Sequence, residues 1–183
     1  MSVLPSLVEL EAEGRRRELL LRLQVNRPAG LGWTLRVGVA RRQTSGTLQL
    51  LGELKGWALP TAAGLRLDTM RVQGDNTAGV GALIWAATFA WALEATPCRR
   101  ATILAIRDND RQHQRLVRYF QRLGFAAVGE LGAGVLDLGP RLLWGGSGLL
   151  MQIDCCDGLA RSSRMLGLGA GEEQPQGPSS SPA

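Results

Sequence analysis

Tyr119 and Phe120 stand side by side in "RYFQRLGF", residues 118–125, and the tyrosine is the only one in the chain. A phenol can give a proton to a leaving group and a phenyl ring cannot. The ring that a helix turns toward a reactive centre therefore decides whether that helix supplies an acid. Neighbours on a helix lie about 100° apart, and the plain expectation sets Tyr119 at the edge of the core with its hydroxyl in water. His113 is the only histidine, which excludes a multi-histidine metal site. Its ring can act as a base, but a solvated helix face is the expectation. A second kind of chemistry is written in "DNTAGVGA", residues 75–82. Glycines at the start of a helix let the backbone approach a ligand, and the free N–H groups of the first turn attract phosphate. Taken alone, such a pair of glycines serves packing more often than binding. "LLWGGSG" (142–148) resembles a phosphate loop only on its surface, because no Lys-Ser/Thr follows; a bulge or tight turn is expected there. Cys98, Cys155 and Cys156 are odd in number, and the adjacent pair cannot easily bridge, so no disulfide framework is implied and no role is assigned.

The elements that must position these residues follow from periodicity. "ELLLRLQVN" (18–26), "GWTLRVGVARR" (32–42) and "GTLQLLGELKGWAL" (46–59) are rich in alternating apolar residues, with "RPAG" and "QTSG" as turns. From its start to about residue 72 the chain reads as strands. The last of these is "LRLDTMRV" (65–72), with Leu65, Leu67, Thr69 and Arg71 expected on one face. "AGVGALIWAATFAWAL" (78–93) carries no charge; it is shorter than the roughly 20 residues a bilayer needs, so a helix buried in a core is predicted, ended by Pro97. Trp85, Phe89 and Trp91 on it are expected to be core. "ATILAI" (101–106) reads as a central strand. Asn109 or Asp110 can cap a helix over 110–123 that buries Leu116, Phe120 and Leu123, with Gly124 just past its end. "AAVGEL" and "LLMQID" supply two more strands. The expected fold is α/β of the α+β type: a central mixed, mostly antiparallel sheet with one βαβ crossover and flanking helices. Residues 1–168 form one expected domain, and residues 169–183, "GAGEEQPQGPSSSPA", an expected disordered tail.

Composition narrows the partners. The formal net charge is +5, almost all of it from arginine, with Lys55 the only lysine. The arginines are scattered, "GRRRE" at 14–18 is their densest run, and no nucleic-acid motif accompanies them, so nucleic acid is disfavoured and an acidic partner is the alternative. The N-terminal segment lacks the pattern of a signal peptide; with reduced thiols, a cytoplasmic setting is expected.

The order strand, glycine turn, apolar helix, strand, charged helix ending in Leu-Gly-Phe resembles the GNAT superfamily of acyl-CoA-dependent N-acetyltransferases. The resemblance covers about residues 65–126 well and the earlier strands in outline. It implies acetyl-CoA as co-substrate and no metal. Asn76, Ala78, Gly79, Val80, Gly81 and Ala82 would hold the pyrophosphate, Asn76 standing where the family has arginine or glutamine. Backbone of Met70, Arg71 and Val72 would pair with the pantetheine arm. Phe120 occupies the place of the family's tyrosine and His113 that of its asparagine. Tyr119 is then the nearest acid, and Asp68, on the strand facing the cofactor, the first candidate base, although it pairs as readily with an arginine; Glu53 is a second candidate. The family encloses its acceptor with two helices between the first two strands, for which "RPAGLG" leaves little room. The cleft is thus expected to be open to a protein or peptide amine. The alternative is a GNAT-like binding or scaffold protein without catalysis, acting as a CoA sensor or through an acidic partner.

Overall fold

Apolar alternation in the first half, and in the second a helix apolar all round and a charged helix with one apolar stripe, build a sheet with helices packed on it. The structure, a computed structural model, describes residues 4–107, 110–132 and 146–168. In chain order come α1 (Leu7–Arg16), β1 (Leu19–Asn26), a 3-10 turn (Pro28–Gly30), β2 (Trp33–Arg42), β3 (Leu48–Ala58) and β4 (Leu65–Val72). Then follow α2 (Val80–Ala95), β5 (Arg100–Ile106), α3 (Asp110–Leu123), β6 (Ala126–Leu131), β7 (Gly148–Asp154) and α4 (Cys155–Met165). Seven strands form one sheet in the order β1-β2-β3-β4-β5-β7-β6. Every neighbouring pair is antiparallel except β4 and β5, which α2 joins in parallel. The expected mixed, mostly antiparallel sheet with one crossover is what the chain forms.

The expectation that the chain opens with strands is corrected by α1. Ser6 caps it: its hydroxyl accepts from the Glu9 N–H, and the Glu9 carboxylate accepts from the Ser6 N–H at 2.7 Å. This reciprocal box satisfies donors that a helix start otherwise leaves bare. The helix α4 was not expected either; Asp154 caps it, accepting from the N–H groups of Cys156 and Asp157. Asn109 and the tail 169–183 lie outside the described residues, as does most of "LLWGGSG".

The core sits between one sheet face and α2. Val37, Leu54, Leu65, Leu67 and Ile84 are fully or almost fully buried. Trp85 stacks on Phe89 with ring centroids 5.9 Å apart and meets Phe120 and Phe125 edge-on at 6.3 and 5.7 Å. At Gly158 in α4 even a methyl group would sit 2.6 Å from the Phe89 ring, so only glycine lets α4 lie this close to α2. No helix among the described residues is long and apolar enough to cross a membrane.

One irregularity in this sheet determines the site. Lys55 pairs with Thr69, but the next residue of β3, Gly56, pairs with Leu67, so Asp68 has no partner and β4 bulges there. The bulge overturns the expected face of Leu65, Leu67, Thr69 and Arg71. Past Asp68 it is Met70 and Val72 that share a face with Leu54 and Gly52, while Thr69 and Arg71 turn to the other side.

Candidate functional site

Next to the bulge, the sheet opens. β4 and β5 pair only from Leu65 to Leu67 against Ala101 to Ile103, and beyond these residues the two strands part. The gap is a cleft of about 550 Å³. Asp68, Met70 and Val72 of β4 line one wall, Ile103 and Ile106 of β5 the other, and Gly81, Tyr119 and Phe120 of the helices lie behind. Strand backbone that has lost its neighbour presents N–H and C=O groups to whatever fills the gap.

Tyr119 faces this cleft. Its hydroxyl oxygen accepts from the Trp85 Nε1–H at 2.9 Å, and its O–H donates to Met70 Sδ, a weak acceptor, at 3.8 Å. The expected hydroxyl in water is thereby corrected, because the fully buried indole of Trp85 draws the phenol inward. Burial pushes the Tyr119 phenol above its ordinary range, partly countered by the Trp85 hydrogen bond. A phenol so placed keeps its proton at neutral pH. Phe120 is buried and packed edge-on against Trp85. It closes the floor of the cleft while Tyr119 supplies the polar group.

His113 is not on a solvated face. It is buried, and its Nδ1 lies 3.2 Å from the carbonyl oxygen of Ile106, tying α3 to the end of β5. The two carboxylates differ sharply. Glu53 is engaged, with Oε2 3.4 Å from Arg36 Nε and Oε1 3.2 Å from Lys55 Nζ. Asp68 is exposed on the cleft wall and forms no ion pair among the described residues. Arg71 pairs across the sheet with Glu53, so its side chain points away from the cleft, and it is not among the residues that line it.

The glycine turn lies behind Gly81, which belongs to both the first turn of α2 and the cleft lining. Gly79 caps α2 at φ 78°, a left-handed conformation that glycine adopts freely. The Val80 N–H is used by the Thr77 carbonyl at 3.1 Å, whereas those of Gly81 and Ala82 have no acceptor among the described residues. A side chain on Gly81 would begin 3.4 Å from Met70 Cε and 3.7 Å from the Tyr119 hydroxyl, crowding the cleft. Ala78 lies in the turn, and the side chains of Val80 and Ala82 are buried.

Asn76 adopts φ 53°, which suits asparagine, and its carbonyl accepts from both Nη atoms of Arg41 at 3.1 Å. Arg17 comes from the end of α1, held by Glu13 at 2.6 Å and by the Leu166 carbonyl; its Nη1 lies 3.3 Å from where a side chain on Gly79 would start. Sequence reading missed both arginines, since no local spacing ties residue 17 or 41 to residue 79. Arg17 does fall in the "GRRRE" run, the one hint available. Burial pushes the Cys155 thiol up to about 12, so it is inert at neutral pH. Among the described residues, no group of three His, Cys, Asp or Glu could hold a metal.

No family model matches the chain, and no curated protein sequence matches it. Solved structures do. A GCN5-related N-acetyltransferase from Brucella melitensis is 11% identical over 73% of this chain and 56% of its own, with a TM-score of 0.49. A spermidine N-acetyltransferase SpeG chimera from Vibrio cholerae and hSSAT is 10% identical over 72% of each chain, with a TM-score of 0.45. Mycobacterium smegmatis RimJ in complex with CoA-disulfide is 16% identical over 83% of this chain and 62% of its own, with a TM-score of 0.40. The antiparallel run β1 to β4, the single parallel pair that parts into a cleft, and the crossover helix behind a glycine turn form the arrangement that the resemblance to the GNAT superfamily implies.

Proposed function

We propose that the chain binds acetyl-CoA in the cleft between β4 and β5 and transfers its acetyl group to an amine of a protein or peptide. The observation that carries this reading is the parting of the two strands beside a buried, cleft-facing phenol and the free N–H groups of Gly81 and Ala82. In this reading the pantetheine arm lies along the backbone of Met70, Arg71 and Val72. The pyrophosphate meets the turn from Asn76 to Ala82, with Ala78, Gly79, Val80 and Gly81 as its centre. Arg17 and Arg41 supply the positive charge that Asn76 lacks.

The chemistry is direct. The amine loses its proton to Asp68 or to water held there, and its nitrogen forms a bond to the thioester carbonyl carbon. The carbon–sulfur bond breaks, and the departing thiolate takes the Tyr119 proton. Tyr119 thus does from one position away what the family does from the position of Phe120. The link between β1 and β2 is residues 27–32 with only a 3-10 turn. No helices there cover the acceptor's approach, which suits a polypeptide.

Thermal unfolding with and without acetyl-CoA, with adenosine diphosphate as control, tests the cofactor. Ligand at about 100 times its dissociation constant adds roughly 2.7 kcal/mol, or about 5–10 °C in the midpoint for a chain of this size. No shift at millimolar acetyl-CoA would refute the reading. Phe120 favours one other function, a CoA sensor without turnover. A shift with no acetyl transfer to any amine offered, and no effect of Tyr119→Phe, would select it.

A further inference from the structure

Three of the rows that the register lays out on the face of β1–β4 turned away from α2 are polar. Gln24, Arg36, Lys55 and Thr69 form one, and Arg22, Gly38, Glu53 and Arg71 the next. Asn26, Thr34, Trp57 and Arg66 form the third. In these rows five cations stand against the single carboxylate of Glu53. Toward the β2–β3 turn the same face continues into Leu20, Ala40 and Leu50, and Leu50 stays 44% exposed, so the face is not a buried layer. The Arg36 and Lys55 side chains keep 52% and 49% of their exposure even while they share Glu53. Arg22 and Arg71 are exposed as well. The face ends at β4, where Asp68 stands on the wall of the cleft.

We infer that this face docks an acidic polypeptide segment and delivers its amine to the cleft, an inference that rests on the acyltransferase reading. The four strands span about 15 Å at a spacing near 4.8 Å, a width that an extended segment of about five residues crosses. Its carboxylates meet Arg22, Arg36, Lys55 and Arg71, while the amine, being positive until it loses its proton, is drawn to Asp68 at the far edge. Charge complementarity of this kind sets partner choice and association rate. The same field repels a polycationic acceptor, so polyamines and lysine-rich tails are excluded as substrates. Nucleic acid fits less well, because single strands are held by stacking on several aromatic rings, and Trp57, half-buried, is the only aromatic residue in the rows.

The experiment is equilibrium binding, by fluorescence anisotropy, of labelled peptides about eight residues long, rich in aspartate and glutamate, neutral, or rich in lysine. A single-stranded RNA oligonucleotide of similar charge serves as a further probe. They are offered to the full chain and to its R36E, K55E and R36E/K55E variants. Acetyl-CoA-dependent thermal stabilisation is followed in parallel, since neither substitution touches the cleft. The acidic peptide is expected to bind at least about tenfold tighter than the neutral one, to weaken about tenfold or more in the double variant, and to weaken with salt. The thermal shift should stay unchanged. Equal binding of acidic and neutral peptides, tighter binding of the RNA, or indifference to both charge reversals would overturn the docking face. Loss of the acetyl-CoA shift in the unaltered chain would instead overturn the acyltransferase reading on which the delivery of an amine depends.

Discussion

The same four strands carry two opposite surfaces. On the side of α2, Val37, Leu54, Leu65 and Leu67 are at most 1% exposed; on the other side, their neighbours Arg36, Lys55 and Arg71 stand in solvent. A β-strand sends successive side chains to opposite faces, so one sequence pattern specifies both a sealed face and an open one. The sealed face holds the fold together and the open face is free for recognition. The bulge at Asp68 lies where the two functions meet. It reverses the alternation in mid-strand, so that Met70 joins the cleft and Arg71 joins the basic rows.

The contrast is tested most severely on the sealed face. Trp85 is fully buried and contacts Phe89, Phe120 and Phe125. Trp85→Ala is expected to cost about 3–5 kcal/mol, read as a fall in the denaturation midpoint. A loss below about 1 kcal/mol would mean that the aromatic cluster does not organise the core. Trp85→Phe keeps most of the ring and removes the N–H donor to Tyr119. Because that bond holds the phenol's pKa down against the effect of burial, its loss should move the phenol's titration to higher pH.

At the cleft the expected effect is on rate. Tyr119→Phe should lower acetyl transfer about a hundredfold or more while changing the acetyl-CoA thermal shift little. The pH profile adds a signature. A phenol raised above its usual value near 10 stays protonated beyond that pH. Wild-type turnover should therefore keep its acid through the ordinary tyrosine range and lose it only above that range. A fall in rate centred below pH about 9 would assign the limb to another group. The same sign applies to stability. The Tyr119 contribution is complete below the unfolded value and is lost as pH climbs through the folded one.

The elements were legible wherever one local signal decided them. Alternation placed β1 to β4 to within two residues at either end. Gly124 lies at φ 101°, with its N–H to the Gln121 carbonyl and the Phe125 N–H to the Phe120 carbonyl, the helix stop that "LGF" announces. The signal for α1 was also present, serine followed three residues later by glutamate, though the apolar pattern around it is thin. What could not be read depends on contacts across the chain. The bulge exists only in the register between β3 and β4. The orientation of Tyr119 is set by an indole 34 positions away, and Arg17 and Arg41 reach the glycine turn from α1 and β2. A sequence announces such a site by the residues it needs, but the pairing of strands and helices decides which of them arrive.

Ser6→Ala tests the rim of the sealed face, where a cap rather than packing is lost. It removes the hydroxyl that accepts from the Glu9 N–H, and about 1 kcal/mol is expected. Glu9 is held below the usual carboxylate range by the Ser6 backbone N–H and then by its hydroxyl. The stability linked to this box is therefore present above the unfolded carboxylate value and is lost as pH falls through the folded one. Unfolding compared at pH about 7 and pH about 3 should show the Ser6→Ala difference shrinking in acid.

The smallest expected effect bears most directly on the comparison. Arg36→Ala removes a cation from the open face and leaves Glu53 with Lys55 alone, 3.2 Å away. Exposed ion pairs contribute little, because water and salt screen them and two long side chains must be held still. The change in unfolding free energy should stay within about 0.5 kcal/mol, and added salt should hardly alter it. A loss of 2 kcal/mol or more, above the roughly 1 kcal/mol of an exposed pair, would show that the basic rows are part of the sheet's own stability. Near-neutrality in stability, combined with a large loss in acidic-peptide binding, is the pattern expected of a surface kept for a partner.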